Sequence, residues 1–298
     1  MVTTSLAFVR DSVERFLRAS HDDVSADAEG DLVVRRDGVA AWIRATEMVE
    51  GQTAVFIWSV PVEEPGVDDE LTRYLATEGA NLTFGHFELY ASPDRVHLSH
   101  TLMGEHLSRE ELELAVDEVL LSTVRYGRII EDRFGGRRPE ARPARSAGPE
   151  RPPPPAGKAE GIELLRARVE AYLKESHPGV SVDDQGDFAL RSGSSVTWVR
   201  PDRWEGNRSL ARVFSVTNVG VRVDGELTRF LLETNARLPF GGFQLDERRS
   251  ATIIVHSLLG EYLNPNELHA AILCVSGAAE QFAPEIGARF GGTLLTES

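Results

Sequence analysis

The chain has 298 residues, 41% hydrophobic and 27% charged, with a formal net charge of −15. That balance excludes wholesale disorder and a collagen-like chain, no apolar run approaches the ~20 residues a bilayer span needs, and the length suits two domains. The single Cys274 excludes an intrachain disulfide and a multi-cysteine metal site.

The opening residues carry no basic stretch before an apolar one, so a cytoplasmic location is expected. The acidity is uneven. Residues 1–136 hold 12 basic and 26 acidic side chains, whereas residues 137–159 hold 6 and 2. Such a surface repels phosphate backbones and anionic lipid, so a polypeptide partner is expected, with no nucleic acid and no membrane.

In chain order, Leu6, Val9, Val13, Phe16 and Leu17 recur at helical spacing and predict an amphipathic opening helix. Three strand candidates follow: residues 24–35, interrupted at Glu29-Gly30; residues 38–44 around Trp42; and residues 53–61. Asp68 is placed to cap a short helix carrying Glu70-Leu71-Thr72-Arg73, in which Glu70 and Arg73 are spaced for a surface ion pair. Strands near 84–90 and 95–103 precede a long helix opened by the capping box Ser108 to Glu111 and closed near Phe134 by Gly135-Gly136. The predicted order is α-β-β-β-α-β-β-α, an α+β module whose short connections favour an antiparallel sheet packed with helices.

The same module then repeats at an offset of 156 residues. Trp42 faces Trp198, His21 faces His177, Gly30-Asp31 faces Gly186-Asp187, and Glu70-Leu71-Thr72-Arg73 returns whole as Glu226-Leu227-Thr228-Arg229. Phe84-Gly85 with Phe87 returns as Phe240-Gly241 with Phe243, and Arg133-Phe134-Gly135-Gly136 returns as Arg289-Phe290-Gly291-Gly292. A period this long marks a duplicated domain and not a solenoid. The expected division is a first copy at 1–136, a linker at 137–159 and a second copy at 160–298. The linker holds Pro152-Pro153-Pro154-Pro155 and reads as a solvated spacer, with a proline-rich recognition peptide as the alternative.

Candidates for catalysis are few. His97 and His100 point to opposite faces of one strand and cannot grip one metal. His86, His97 and His106 are replaced in the second copy by Gly242, Ile253 and Tyr262. His100 shares a strand face with Val96, Leu98 and Leu102 and reads as a core or edge histidine, while His21 and His177 stand where a helix ends and read as caps. Asp22-Asp23 becomes Pro178-Gly179, and Asp68-Asp69-Glu70 becomes Asp224-Gly225-Glu226, so these carboxylates read as turn and cap residues. No Walker loop, dinucleotide fingerprint, nucleophile elbow or zinc-protease motif occurs. The expectation is therefore no enzyme, no cofactor and no metal.

The aromatics give a different signal. In the strand at 53–61, Val55 and Ile57 alternate with Phe56, Trp58 and Val60, so both of its faces need cover. A bound polypeptide is one such cover. Trp42, Phe56 and Trp58, with Trp198 and Phe214 in the second copy, are the candidate peptide-binding residues.

The element order, with Glu70-Leu71-Thr72-Arg73-Tyr74-Leu75, Phe84-Gly85-x-Phe87, His100-Thr101-Leu102-Met103-Gly104-Glu105 and the equivalents beginning at Glu226, Phe240 and His256, resembles the fold shared by class I type III secretion chaperones and the YbjN family. The resemblance covers both copies. It implies a chaperone-like module that binds a client peptide on sheet and helix surfaces. It also implies dimers, so the duplication is expected to place two halves of one dimer in a single, monomeric chain as an intramolecular pseudo-dimer. The alternative is a regulatory or sensory scaffold that binds a small ligand between sheet and helix.

Overall fold

The computed structural model describes residues 5–48, 52–91, 94–105, 107–139, 161–204 and 208–295. Most of the proline-rich stretch, from 140 on, and with it the choice between spacer and recognition peptide, lies outside these residues.

The first copy runs α1 (Leu6–Ser20), β1 (Val24–Ala26), β2 (Leu32–Arg36), β3 (Val39–Glu47), β4 (Thr53–Glu63), α2 (Asp69–Glu78), a 3-10 turn (Gly79–Asn81), β5 (His86–Ala91), β6 (Asp94–Met103) and α3 (Arg109–Phe134). The second runs α4 (Ile162–Ser176), β7 (Ser181–Val182), β8 (Phe188–Ser192), β9 (Ser195–Trp204), β10 (Arg208–Val219), α5 (Gly225–Asn235), β11 (Gly242–Asp246), β12 (Ala251–Leu259), a 3-10 turn (Gly260–Tyr262) and α6 (Pro265–Phe290). Each copy contributes a six-stranded sheet, ordered β1-β2-β3-β4-β6-β5 and β7-β8-β9-β10-β12-β11. The fold is α+β, as expected, with one strand more per copy than the sequence predicts.

The extra strand has a local cause. The Asp27 carboxylate accepts from the Glu29 and Asp31 backbone N–H groups at 3.1 and 2.9 Å, and Gly30 has φ +87°. This side-chain-supported turn reverses the chain and splits 24–35 into the antiparallel pair β1–β2, with Val24 opposite Val34. Asp183 repeats both bonds at 2.9 Å, beside Gly186 at φ +85°.

Helix ends follow the sequence. Asp68 accepts from Leu71 N–H and Asp224 from Leu227 N–H. Ser108 and Glu111 form their capping box, and Gly135 closes α3 at φ +77°, a backbone conformation in which glycine is not strained. His21 and His177 are the C-cap residues of α1 and α4.

By Cα proximity the described chain forms two compact units, 1–67 with 87–152 and 68–86 with 153–298. The segment 68–86, which holds α2, therefore packs in the unit built mainly from the second copy. In the first unit, Val9, Val13 and Leu17 of α1 and Leu112, Val116 and Val119 of α3 pack on Ala41, Ile43, Val55, Ile57 and Leu102. Both helices thus cover one face of the first sheet.

The repeated Gly-Glu motif holds this arrangement. Gly104 N–H donates to Thr53 O at 2.8 Å, and the Glu105 carboxylate accepts from Thr53 N–H at 2.7 Å. Glu261 does the same for Ser209 N–H at 2.8 Å. His100 lies opposite Ile57, 1% exposed, on the face turned to the helices. These motif residues are structural.

Candidate functional site

The face of the first sheet turned away from its helices carries the candidate residues. Strand alternation puts Ala41, Ile43 and Ala45 into the core, so Trp42 and Arg44 project from the other face. On β4, Val55 and Ile57 are fully buried while Phe56 and Trp58 are half-buried. Trp42 pairs directly with Trp58 in the antiparallel register, and Arg44 with Phe56. The Trp42 and Trp58 rings stack with centroids 6.5 Å apart and planes 16° apart.

A charge stands beside this aromatic pair. Arg44 Nε donates to Asp31 Oδ1 at 2.6 Å and its Nη2 bonds Oδ2, while the guanidinium carbon lies 5.4 Å from the Trp58 ring centre. Asp31 is 5% exposed and Arg44 is exposed. The bond to Asp31 raises the already high pKa of Arg44, so the guanidinium stays charged. A two-pronged bond of this kind fixes the plane of the cation over the ring. Its remaining N–H groups can donate to a carbonyl or carboxylate.

The second copy builds the same group. Trp198 pairs with Phe214, their rings 5.6 Å apart and tilted by 16°. Arg200 Nε donates to Asp187 Oδ1 at 2.9 Å and Nη2 to Oδ2 at 2.5 Å, with the guanidinium carbon 5.0 Å from the Phe214 ring. Ala189, Val196 and Trp198 form a buried apolar cluster against which Phe214 and Val216 pack. The site is thus an aromatic pair flanked by a pinned guanidinium, built twice.

Four of the five predicted residues, Trp42, Trp58, Trp198 and Phe214, fall into these two pairs. Phe56 sits beside the first pair, but its equivalent at the offset of 156 is Arg212, whose Nε lies 3.5 Å from Asp202. The aspartate–arginine pins went unnoticed in the sequence. The recurrence of Asp31 as Asp187 is legible in the repeat; that of Arg44 as Arg200 is the signal that was passed over, and the pairing itself needs the fold.

A second concavity of about 360 Å³ lies between α1 and the β1–β2 turn of the first unit. Val13 and Ile43 contribute apolar surface to it, and Arg10, Glu14, Glu29 and Arg44 contribute charge. Among the described residues no group of three or more His, Cys, Asp or Glu side chains could hold a metal ion, and no helix is long and apolar enough to cross a membrane.

The duplicated fold agrees with a family comparison. Residues 5–142 and 163–298 each match the model of the family described as T3SS (YopN, CesT) and YbjN peptide-binding chaperone 1. No curated protein matches the chain.

Proposed function

The chain belongs to this family of type III secretion and YbjN peptide-binding chaperones, and we propose that it is a non-enzymatic cytoplasmic protein that holds an extended segment of a client polypeptide along its two aromatic sheet faces. The observation that carries this reading is the doubled group itself. The half-buried Trp42–Trp58 pair gives apolar surface for side chains at alternate positions of a strand, in the second copy Phe214 gives it beside Trp198, which is 9% exposed, and the pinned Arg44 and Arg200 give donors to backbone carbonyls or acidic side chains. The copies differ at Phe56 and Arg212, while an aromatic pair and a pinned guanidinium occur in each.

In this reading the copies at 1–136 and 160–298, joined by 137–159, form an intramolecular pseudo-dimer, and the chain works as a monomer. Support comes from inside the second compact unit, where Thr72 and Thr228, equivalent residues of the two copies, meet through their hydroxyl oxygens at 2.8 Å. Contact between equivalent residues is the mark of a two-fold interface.

The test is affinity purification of the tagged full chain from its native cells, read by mass spectrometry. Wild type is compared with Trp42→Ser/Trp58→Ser, Trp198→Ser/Phe214→Ser and the combination of all four, each checked for folding by circular dichroism. We expect one dominant polypeptide, reduced in either pair variant and lost in the fourfold variant. A folded wild type that captures no polypeptide contradicts the reading.

The concavity between α1 and the β1–β2 turn favours a second reading, a small-ligand sensor. Its volume is within the range of small-molecule sites, which begin at roughly 300 Å³. A folded wild type that captures no polypeptide, but whose melting temperature rises with a small metabolite and does not rise in Arg10→Ala/Glu14→Ala, would favour this second reading.

A further inference from the structure

The interface formed by residues 68–86 with α5 and β11 lies inside the second compact unit, and it is built from equivalent positions of the two copies that have become unlike. Beyond Thr72 with Thr228, position 69 meets position 225 and position 86 meets position 242, each pair separated by the repeat offset. At both of these the first copy has a side chain and the second a glycine. A Cβ added to Gly242 would stand 2.5 Å from the His86 Cβ, and one added to Gly225 would overlap the Asp69 carboxylate. His86 is 4% exposed, so its ring is packed in place; Asp69 is exposed at the rim. Gly242 and Gly225 therefore leave the volume that the first copy fills.

A third asymmetry is a hydrogen bond. Gln244 Nε2 donates to the Gly79 carbonyl at 2.9 Å in a buried setting, and a Cβ on Gly79 would crowd Gln244 Cγ at 3.2 Å. The residue equivalent to Gln244 is Glu88, whose carboxylate has no N–H to give, and the residue equivalent to Gly79 is Asn235, which carries a side chain.

We infer that this interface is coded to join unlike copies: the 68–86 segment of a first copy accepts the α5–β11 surface of a second copy and rejects the corresponding surface of another first copy. Two first copies would set His86 against His86, Asp69 against Asp69 and Glu88 against a carbonyl. Two second copies would face glycine with glycine at 242, leaving a void where His86 is packed, and would crowd Gln244 with Asn235. Both self-pairings lose packing or gain repulsion, which is how an interface acquires specificity. The partner of each copy is thus the other copy. This inference rests on the pseudo-dimer reading above and supplies the reason the duplication does not scramble into like-with-like pairs.

The test uses the full chain. Gly242→His should lower the melting temperature by ~5 °C or more, and the exchange His86→Gly/Gly242→His, which moves the ring to the other side of the same contact, should recover at least half of that loss. Gln244→Glu, nearly identical in shape, should also melt below wild type. If Gly242→His is insoluble, soluble protein in the exchange variant counts as recovery. An unchanged melting temperature in Gly242→His or in Gln244→Glu overturns the inference, as does an exchange variant no better than Gly242→His alone. Client capture is read separately on the exchange variant: a stable protein that captures nothing contradicts the peptide-binding reading and leaves the pairing rule standing.

Discussion

Arg44 shows how much one residue decides. Its side chain stays exposed, yet both prongs of its guanidinium end on an aspartate that is 5% exposed. A carboxylate buried to that degree needs its partner, and the partner in turn is held flat beside Trp58. Arg44→Ala is expected to cost about 1–2 kcal/mol, the scale of a hydrogen bond to a charged group discounted for the exposed cation, and to weaken client capture. Arg44→Lys should recover little of the capture, because an ammonium cannot make the two-pronged bond. Urea unfolding measures the first effect and quantitative pull-down the second. Restoration of full capture by lysine would show that charge alone matters at this position. The aspartate's part was not legible in local sequence, since nothing around Gly30-Asp31 distinguishes a turn residue from a buried anchor.

At the scale of elements, helices and strands were legible because their apolar residues keep a strict period and their caps are chemically explicit. Asp68, Asp224 and the Ser108 capping box stand where the sequence puts them. The hairpin β1–β2 was half-legible: Gly30 marks the break, but the reversal depends on the Asp27 carboxylate bridging two backbone N–H groups. Ion pairs across elements were not legible. Spacing suggests Arg73 with Glu70, whereas the structure brings Arg73 Nε to within 2.5 Å of Glu247 beyond the end of β11. Histidines at helix ends carry a further consequence. His177, the C-cap of α4, places Nε2 3.4 Å from Nδ1 of His269 on α6, and burial followed by the neighbouring imidazole lowers its pKa. A histidine whose folded pKa lies below its unfolded value of about 6.5 binds its proton more readily in the unfolded chain. Its contribution is fully present above pH 6.5 and is lost as the pH falls towards the folded value. The urea midpoint should therefore drop between pH 7.5 and 5.5, and His177→Gln should flatten part of that drop. His97, lowered first by burial and then by Arg95 against the opposing pull of Glu88, adds a drop of the same sign, so His177→Gln leaves a residue of the slope that His177→Gln/His97→Gln removes further. A pH profile identical in wild type and His177→Gln contradicts the assignment.

For the whole molecule, the offset of 156 was the most informative number in the sequence: it set Trp42 against Trp198, while the pairing of each with Trp58 or Phe214 came only from the strand register. It did not reveal that residues 68–86 pack in the unit built from the second copy, because periodicity describes what each segment resembles and not what it touches. In the sequence Gly225 and Gly242 are only positions where Asp69 and His86 fail to repeat; the three-dimensional juxtaposition shows that each occupies the place opposite its own counterpart. The shared chemistry of the copies and their divergence then take separate places in the proposal: the aromatic pairs and pinned guanidiniums are assigned to client binding, and the unlike residues to pairing. The most direct measurement of the central claim is hydrogen–deuterium exchange on the full chain with and without its captured client. Added protection should appear in β3 and β4 (Val39–Glu47 and Thr53–Glu63) and in β9 and β10 (Ser195–Trp204 and Arg208–Val219). Protection confined to α1 and the β1–β2 turn, with these four strands unchanged, would contradict it.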